Sequence, residues 1–137
     1  MIYAVIDTNV IVSALLSQNR TVSAPFAVLK AVFQGIITPI LSEAILKEYS
    51  EVLKREKFGF DQKKIELLLE QLKGQSVFVH PPHTKKKIPD MKDICFYEAA
   101  FVYEDIGGLL ITGNMKHFPD CPFAVTPALM KEKILNK

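Results

Sequence analysis

With 137 residues, 49% of them apolar and a net charge of only +2, the chain fits one folded domain spanning 1–137. This composition excludes a disordered chain, which would be poor in apolar residues and strongly charged, and a wholesale polyanion binder, leaving only local contact with nucleic acid. Its two cysteines, Cys95 and Cys121, have no short metal-binding spacing and are too few for a disulfide scaffold, so reduced thiols and a cytoplasmic location are expected.

The opening stretch MIYAVIDTNVIVSALL has no basic leader, and Asp7 interrupts its apolar run, which argues against a signal peptide. No uncharged run reaches the ~18 residues of a membrane helix, so no membrane contact is expected. Ile2–Ile6 is short, apolar and β-branched and reads as a buried strand. Val10–Leu16 follows as a helix capped by Thr8 or Asn9. Pro25 suits the first turn of a second helix running to Gln34, with Gly35 to end it. Ile36–Ile40 is a second strand. Ser42 then caps a helix whose apolar residues Ile45, Leu46, Tyr49, Val52 and Leu53 fall at helical spacing. Asp61 caps the next helix, which carries Ile65, Leu68, Leu69 and Leu72 and is expected to stop at Gly74. Val77–Val79 reads as a third strand.

Prolines and a Lys85-Lys86-Lys87 run make Pro81–Pro89 a loop. Ile94–Tyr103 is a helix capped by Asp90 or Asp93 and broken at Gly107-Gly108. Leu109–Thr112 is a fourth strand, Gly113-Asn114 a turn and Phe123–Val125 a fifth strand. Thr126-Pro127 opens a last helix to about Leu135. No repeat or low-complexity segment occurs among these elements. Strands alternate with helices, so an α/β fold is expected, with a mostly parallel central sheet flanked by helices on both faces. Active groups in such folds gather beyond the carboxyl ends of the strands.

Asp7 follows the first strand, Asn114 follows the fourth, Asp93 opens a helix and Glu48 lies on the third helix. If the strand ends bring them together, three carboxylates repel one another and raise each other's pKa unless a cation compensates. A hard divalent cation prefers oxygen ligands, can activate a water and can neutralise charge on a phosphate. Spacing alone leaves ordinary roles open: Asp7, Asp90 and Asp93 as helix caps, Glu48 as a solvated helix residue and Asn114 as a turn former. Glu43 lies about 140° round the helix from Glu48, and its place in the first turn suits the helix dipole.

The local sequences go further. IDTNVIVSALL resembles the first motif of PIN-domain nucleases, an apolar strand ending in Asp-Thr-Asn before a helix. LSEAILKEY resembles their second, with Ser42 six residues before Glu48. IPDMKDICFYEAA resembles the third, matched by Asp93 with Asp90 in the same segment, and LLITGNMKHFP resembles the fourth. The resemblance runs in order from Ile2 to about Val125 and is nearest to toxin components of bacterial and archaeal toxin–antitoxin systems. It implies a PIN-like three-layer fold, Mg²⁺ or Mn²⁺, endoribonuclease activity on RNA, an antitoxin protein as partner and a homodimer. By position it makes Asp7, Glu48 and Asp93 metal ligands and Asn114 a fourth site member. Thr8, Asn9, Ser42 and Thr112 would support the site through hydrogen bonds. Many members of that family have Asp where this chain has Asn114, which removes one negative charge. A catalytically weak or silent binding module is therefore the alternative to a ribonuclease.

Several other features have ordinary readings. Lys85-Lys86-Lys87 reads as a solvated loop, while Lys92 and Lys116 adjoin the acidic residues and are better placed to meet phosphates. His80 and His83 read as loop residues, since a structural zinc wants four protein ligands. His117 reads as a helix-start residue, with action as an acid or contact with phosphate as its other role. Phe96, Tyr97, Phe101 and Tyr103 read mostly as core. An aspartyl-phosphate phosphatase would need a second Asp where Asn9 stands, and no Gly-rich phosphate loop is present.

Overall fold

The apolar run that opens the chain becomes β1 (Ile2–Ile6), the central strand of a five-stranded sheet. A computed structural model describes residues 1–135 of the chain. Ala4, Val5 and Ile6 are almost wholly buried. Continuous burial along a strand is the mark of a sheet covered on both faces. β2 (Ile37–Leu41) and β3 (Val77–Phe78) continue the sheet on one side of β1, and β4 (Leu109–Ile111) and β5 (Ala124–Val125) on the other, in the order β3-β2-β1-β4-β5. Every pairing between these strands is parallel. The sheet and its covering helices make a three-layer α/β fold.

Helices α1 (Thr8–Leu16), α2 (Ala24–Phe33), α3 (Glu43–Leu53), α4 (Gln62–Gln75), α5 (Ile94–Val102) and α6 (Pro127–Leu135) connect and cover the strands. α5 lies against β1, β2 and β4, while α2 packs on β2, α1 and α6. Ile40, Ile45, Leu53, Phe96 and Leu110 are all fully enclosed between the layers. Burying side chains of this size contributes about 1.5–3 kcal/mol each. Among the described residues no helix is long and apolar enough to cross a membrane.

Local chemistry explains the helix starts. The Ser23 hydroxyl accepts the Phe26 N–H at 3.1 Å, Ser42 accepts Ile45 N–H at 3.2 Å, and Asp61 accepts Lys63 N–H at 2.9 Å. Pro25 sits in the first turn of α2, and Gly35, at φ +79°, ends that helix in the left-handed conformation glycine adopts without strain. Two expected boundaries move. α1 begins at Thr8, with Asp7 as its cap, because the Asp7 side chain accepts the Asn9 N–H. α4 runs through Gly74 to Gln75, since Ile65 and Leu72 stay buried on one face and outweigh the ~1 kcal/mol that glycine costs a helix. Short 3₁₀ turns at Glu56–Phe58, Met91–Asp93, Glu104–Ile106 and Met115–His117 fill connections between the longer elements. β1 spans the run that encodes it, β2 is shifted by one residue, and β3, β4 and β5 are each one residue shorter than their apolar runs.

Candidate active site at the strand ends

From β1 the sheet grows outward to β2 and β3, and then the chain crosses back to add β4 and β5 on the other side. The direction of winding therefore changes between β1 and β4, and the connections leaving their carboxyl ends diverge. Open parallel sheets bind ligands in the crevice that results. Asp7 leaves β1 into this crevice, and Thr112, Gly113 and Asn114 leave β4 into it. The Asp7 N–H donates to the Ile111 carbonyl at 2.9 Å, which carries the β1–β4 ladder one residue further and fixes Asp7 at the rim.

The Asp7 side chain is only 4% exposed. Thr112 Oγ1 donates to its Oδ2 at 2.8 Å, and the same hydroxyl accepts the Asn114 N–H at 3.0 Å. Oδ1 accepts the Asn9 N–H at 3.4 Å. Thr112 thus ties the end of β4 to the carboxylate at the end of β1. Asn9 contributes through its backbone. The Thr8 hydroxyl is buried without a hydrogen-bond partner among the described residues, and the Ser42 hydroxyl caps α3.

Glu48 arrives from the middle of α3. Its neighbour Tyr49 is fully enclosed and donates its hydroxyl to the carbonyl of Ile6, the residue just before Asp7. This bond docks α3 on the end of β1 and so sets where Glu48 stands relative to Asp7. Asp93 heads α5, yet its carboxylate makes no capping bond there. Asp90 is the cap, accepting the Lys92 N–H at 3.0 Å and shaping the 3₁₀ turn that leads into α5. The Asp93 carboxylate is left to face His117, whose Nδ1 lies 3.2 Å from Oδ2.

His117 has more contact with this region than a helix-start residue would. Its Nε2 lies 3.0 Å from Asn114 Nδ2. A ring with its proton on Nδ1 satisfies both neighbours: Nδ1–H donates to Asp93, and Nε2 accepts from the Asn114 amide. His117 thereby joins the turn after β4 to the start of α5. The signal in the sequence was its position three residues after Asn114, one 3₁₀ turn along.

The carboxylates act on one another. Burial raises the pKa of Asp7, while the Thr112 hydroxyl, the Asn9 and Thr8 N–H groups and His117 oppose it. Glu48 is raised by burial first, against the pull of Arg55, and further by Glu51, Asp7 and Asp90. Asp93 is raised by burial, then by Asp7 and Asp90, with His117 opposing and Glu48 adding to the rise. Cys95, the second residue of α5, has its thiol pushed up to about 12 by burial and by the nearby Glu48 and Asp93. Burial thus leads the rise of all three carboxyls, and Asp7 and Asp90 add repulsion at Glu48 and Asp93, a condition a bound cation relieves.

Asp7, Glu48 and Asp93 offer oxygen donors only, a set suited to a hard divalent ion. Among the described residues no three His, Cys, Asp or Glu side chains stand close enough to hold one ion directly. Mg²⁺ keeps several of its waters and uses one or two protein carboxylates. Carboxylates that repel one another without converging on one point suit an ion held in part through its own water. Asn114 can add a carbonyl oxygen but no charge.

The family model for the PIN domain matches residues 3–116, from the second residue of β1 to just past Asn114. Asp7, Glu48, Asp93 and Asn114 all fall within that span, and His117 lies one residue beyond it. No curated protein and no solved structure matches the chain.

Proposed function

This chain belongs to the PIN-domain family, whose members are generally nucleases that use divalent metal ions, and from that premise we propose that it is a Mg²⁺- or Mn²⁺-dependent endoribonuclease. The observation that carries the reading is the gathering of Asp7, Glu48 and Asp93 at the crevice between β1 and β4, where burial raises all three and Asp7 adds to the rise of the other two. Asp7 and Asp93 have no lysine or arginine among the groups that act on them, and Arg55 opposes only part of the rise at Glu48, which leaves room for a cation supplied from solution.

In this mechanism Asp7, Glu48 and Asp93 would hold the ion, in part through its own waters. When bound, the ion supplies an activated water and neutralises charge on the scissile phosphate. The Thr112 hydroxyl and the Asn9 N–H keep the Asp7 carboxylate aimed into the crevice, and the Tyr49 hydroxyl keeps α3, and with it Glu48, seated against β1. Asn114 completes the rim from the β4 side and orients water through its amide. Asp90 shapes the turn that presents Asp93. The resemblance of the motifs supports a cytoplasmic toxin of a toxin–antitoxin pair as the setting, with an antitoxin protein and a second copy of the chain as partners.

One observation favours a second reading, a PIN-like RNA- or protein-binding module with little or no turnover. Asn114 stands where many family members have Asp, and its amide is engaged with His117. The test is to incubate the purified protein with long single-stranded RNA, with and without Mn²⁺, beside Asp7→Asn. Cleavage that needs Mn²⁺ and vanishes in the variant supports the ribonuclease. Folded, partner-free protein that binds Mn²⁺ and RNA yet cuts nothing supports the binding module.

A further inference from the structure

Asp7 and Asp93 stand at the two ends of a chain of hydrogen bonds that runs from the end of β1, past the end of β4, to the start of α5. Thr112 Oγ1 donates to Asp7 Oδ2 and accepts the Asn114 N–H. The Asn114 side-chain nitrogen lies 3.0 Å from His117 Nε2, and His117 Nδ1 lies 3.2 Å from Asp93 Oδ2. Both ends are carboxylates, which only accept when ionised, and this fixes the direction of every link. The Thr112 hydroxyl spends its one proton on Asp7, so it meets the Asn114 N–H with a lone pair. A neutral His117 ring spends its one proton on Asp93, so Nε2 accepts. Asn114 therefore donates in both directions, from its backbone and from its side chain, and the ring decides how its amide is turned.

An asparagine just ahead of a helical turn ordinarily points its side-chain oxygen back at the N–H groups of that turn. Asn114 precedes the Met115–His117 turn and makes no such bond. With its nitrogen on the ring, its Oδ1 meets no donor among the described residues, and it is not one of the polar atoms sealed from water without a partner. An uncharged oxygen held in a fixed direction and open to water can accept from a water on a metal ion or bind the ion itself. Engagement with His117 thus uses the nitrogen of Asn114 and spares its oxygen. Asp93 is held in the same manner, by Oδ2 on the ring, and keeps its second oxygen.

We propose that His117 is a positioning residue of this site: its ring sets the Asn114 carbonyl oxygen and the second Asp93 oxygen to face a bound divalent ion. The inference deepens the ribonuclease reading and rests on it for the ion. Asn114 lies in a turn and Asp93 at the head of a helix, and the ring gives the two a common anchor. Through Thr112 the same chain reaches Asp7, so the groups offered from β1, from β4 and from α5 are placed relative to one another. Groups that hold the neighbours of a metal ion in this way change its affinity by about ten- to a hundredfold.

The experiment compares His117→Ala with His117→Gln. Glutamine carries a donor and an acceptor on one carbon, as the ring does at Cε1, but has no ring and no charge. In titration calorimetry His117→Ala should bind Mn²⁺ about tenfold or more weakly than the parent, and His117→Gln should recover most of that loss. The His117 side chain is 37% exposed, so neither change opens the core, and cooperative melting checks that both variants fold. A second arm needs no metal: a nitrogen NMR spectrum of the metal-free parent near pH 7.5 reads which ring nitrogen carries the proton, and Nδ1 is expected. A proton on Nε2 overturns the inference, because that nitrogen could not then accept from Asn114. Parent-like Mn²⁺ binding in His117→Ala overturns it as well, and so does His117→Gln binding as weakly as His117→Ala. A parent that carries the Nδ1 proton and binds no Mn²⁺ overturns the metal-dependent reading alone and leaves the chain of hydrogen bonds standing.

Discussion

Replacing Asp7 by asparagine takes one charge away from a side chain only 4% exposed. Asparagine caps a helix as well as aspartate does, and its carbonyl oxygen can keep the Thr112 bond now made at 2.8 Å. Its amide nitrogen then faces the Asn9 N–H, so the bond at 3.4 Å is lost, at about 0.5–1.5 kcal/mol. Relief of buried charge opposes that loss, and the balance depends on pH. Burial raises the Asp7 pKa above 3.8, so the native state holds this proton more tightly than the unfolded chain. The stability this confers is present below the unfolded pKa and is lost as pH rises through the higher native value. Near pH 7.5, without metal, the parent carries the full cost of the buried charge and Asp7→Asn carries none. Near pH 3 the carboxylate is neutral in both states, and only the lost hydrogen bond separates the two proteins.

A chain of this size moves its melting temperature by roughly 3–5 °C per kcal/mol. The variant should therefore melt a few degrees below the parent near pH 3, and at or above it near pH 7.5, in scanning calorimetry with EDTA present. A difference that is the same at both pH values refutes the argument, because it would mean that hydrogen bonds already balance the buried charge. Adding Mn²⁺ at a hundred times its dissociation constant should then stabilise the parent by about 2.7 kcal/mol, roughly 10 °C. The variant should gain nothing.

Three further substitutions probe the supports of the site. Thr112→Val keeps the shape but leaves Asp7 and the Asn114 N–H each one partner short in a fully buried position; urea unfolding should show a loss of about 2–3 kcal/mol, and a loss below about 0.5 kcal/mol would contradict the bridge. Tyr49→Phe removes the bond to the Ile6 carbonyl; it should cost about 1 kcal/mol and weaken Mn²⁺ binding severalfold in titration calorimetry, whereas unchanged Mn²⁺ affinity would show that Glu48 is seated without it. Asn114→Asp adds a carboxylate to the cluster, so the metal-free protein should melt lower and bind Mn²⁺ more tightly; weaker binding would place residue 114 outside the ion's reach.

Sequence was most informative where the determinants are local. Ser42 and Asp61 cap helices because a short side-chain acceptor beside an apolar, helically spaced run has few other uses, and Ile2–Ile6 becomes the central strand because five apolar residues in a row require cover on both faces. The parallel sheet followed from the alternation of such runs. Boundaries were less legible. Gly74 signals a stop, but Leu72 is held in the core and carries α4 past it. The aspartates show the same limit: Asp7, Asp90 and Asp93 all have the composition of a cap, and only the fold assigns capping to Asp7 and Asp90 while leaving Asp93 to His117. The part played by His117 depends on a contact between the turn after β4 and the start of α5, two segments that no spacing rule relates.

The hydrogen bond from Thr112 to Asp7 spans 105 positions of the chain. On the ribosome, Asp7 and Glu48 emerge early, in a segment that has no β4 to complete the crevice. Their carboxylates cannot be set in place until β4 has been made and has slotted in beside β1. A nascent or truncated chain thus carries most of the acidic residues but not the arrangement that makes them a site. The placement of β4 delays the assembly of the acidic crevice until nearly all the chain that frames it exists.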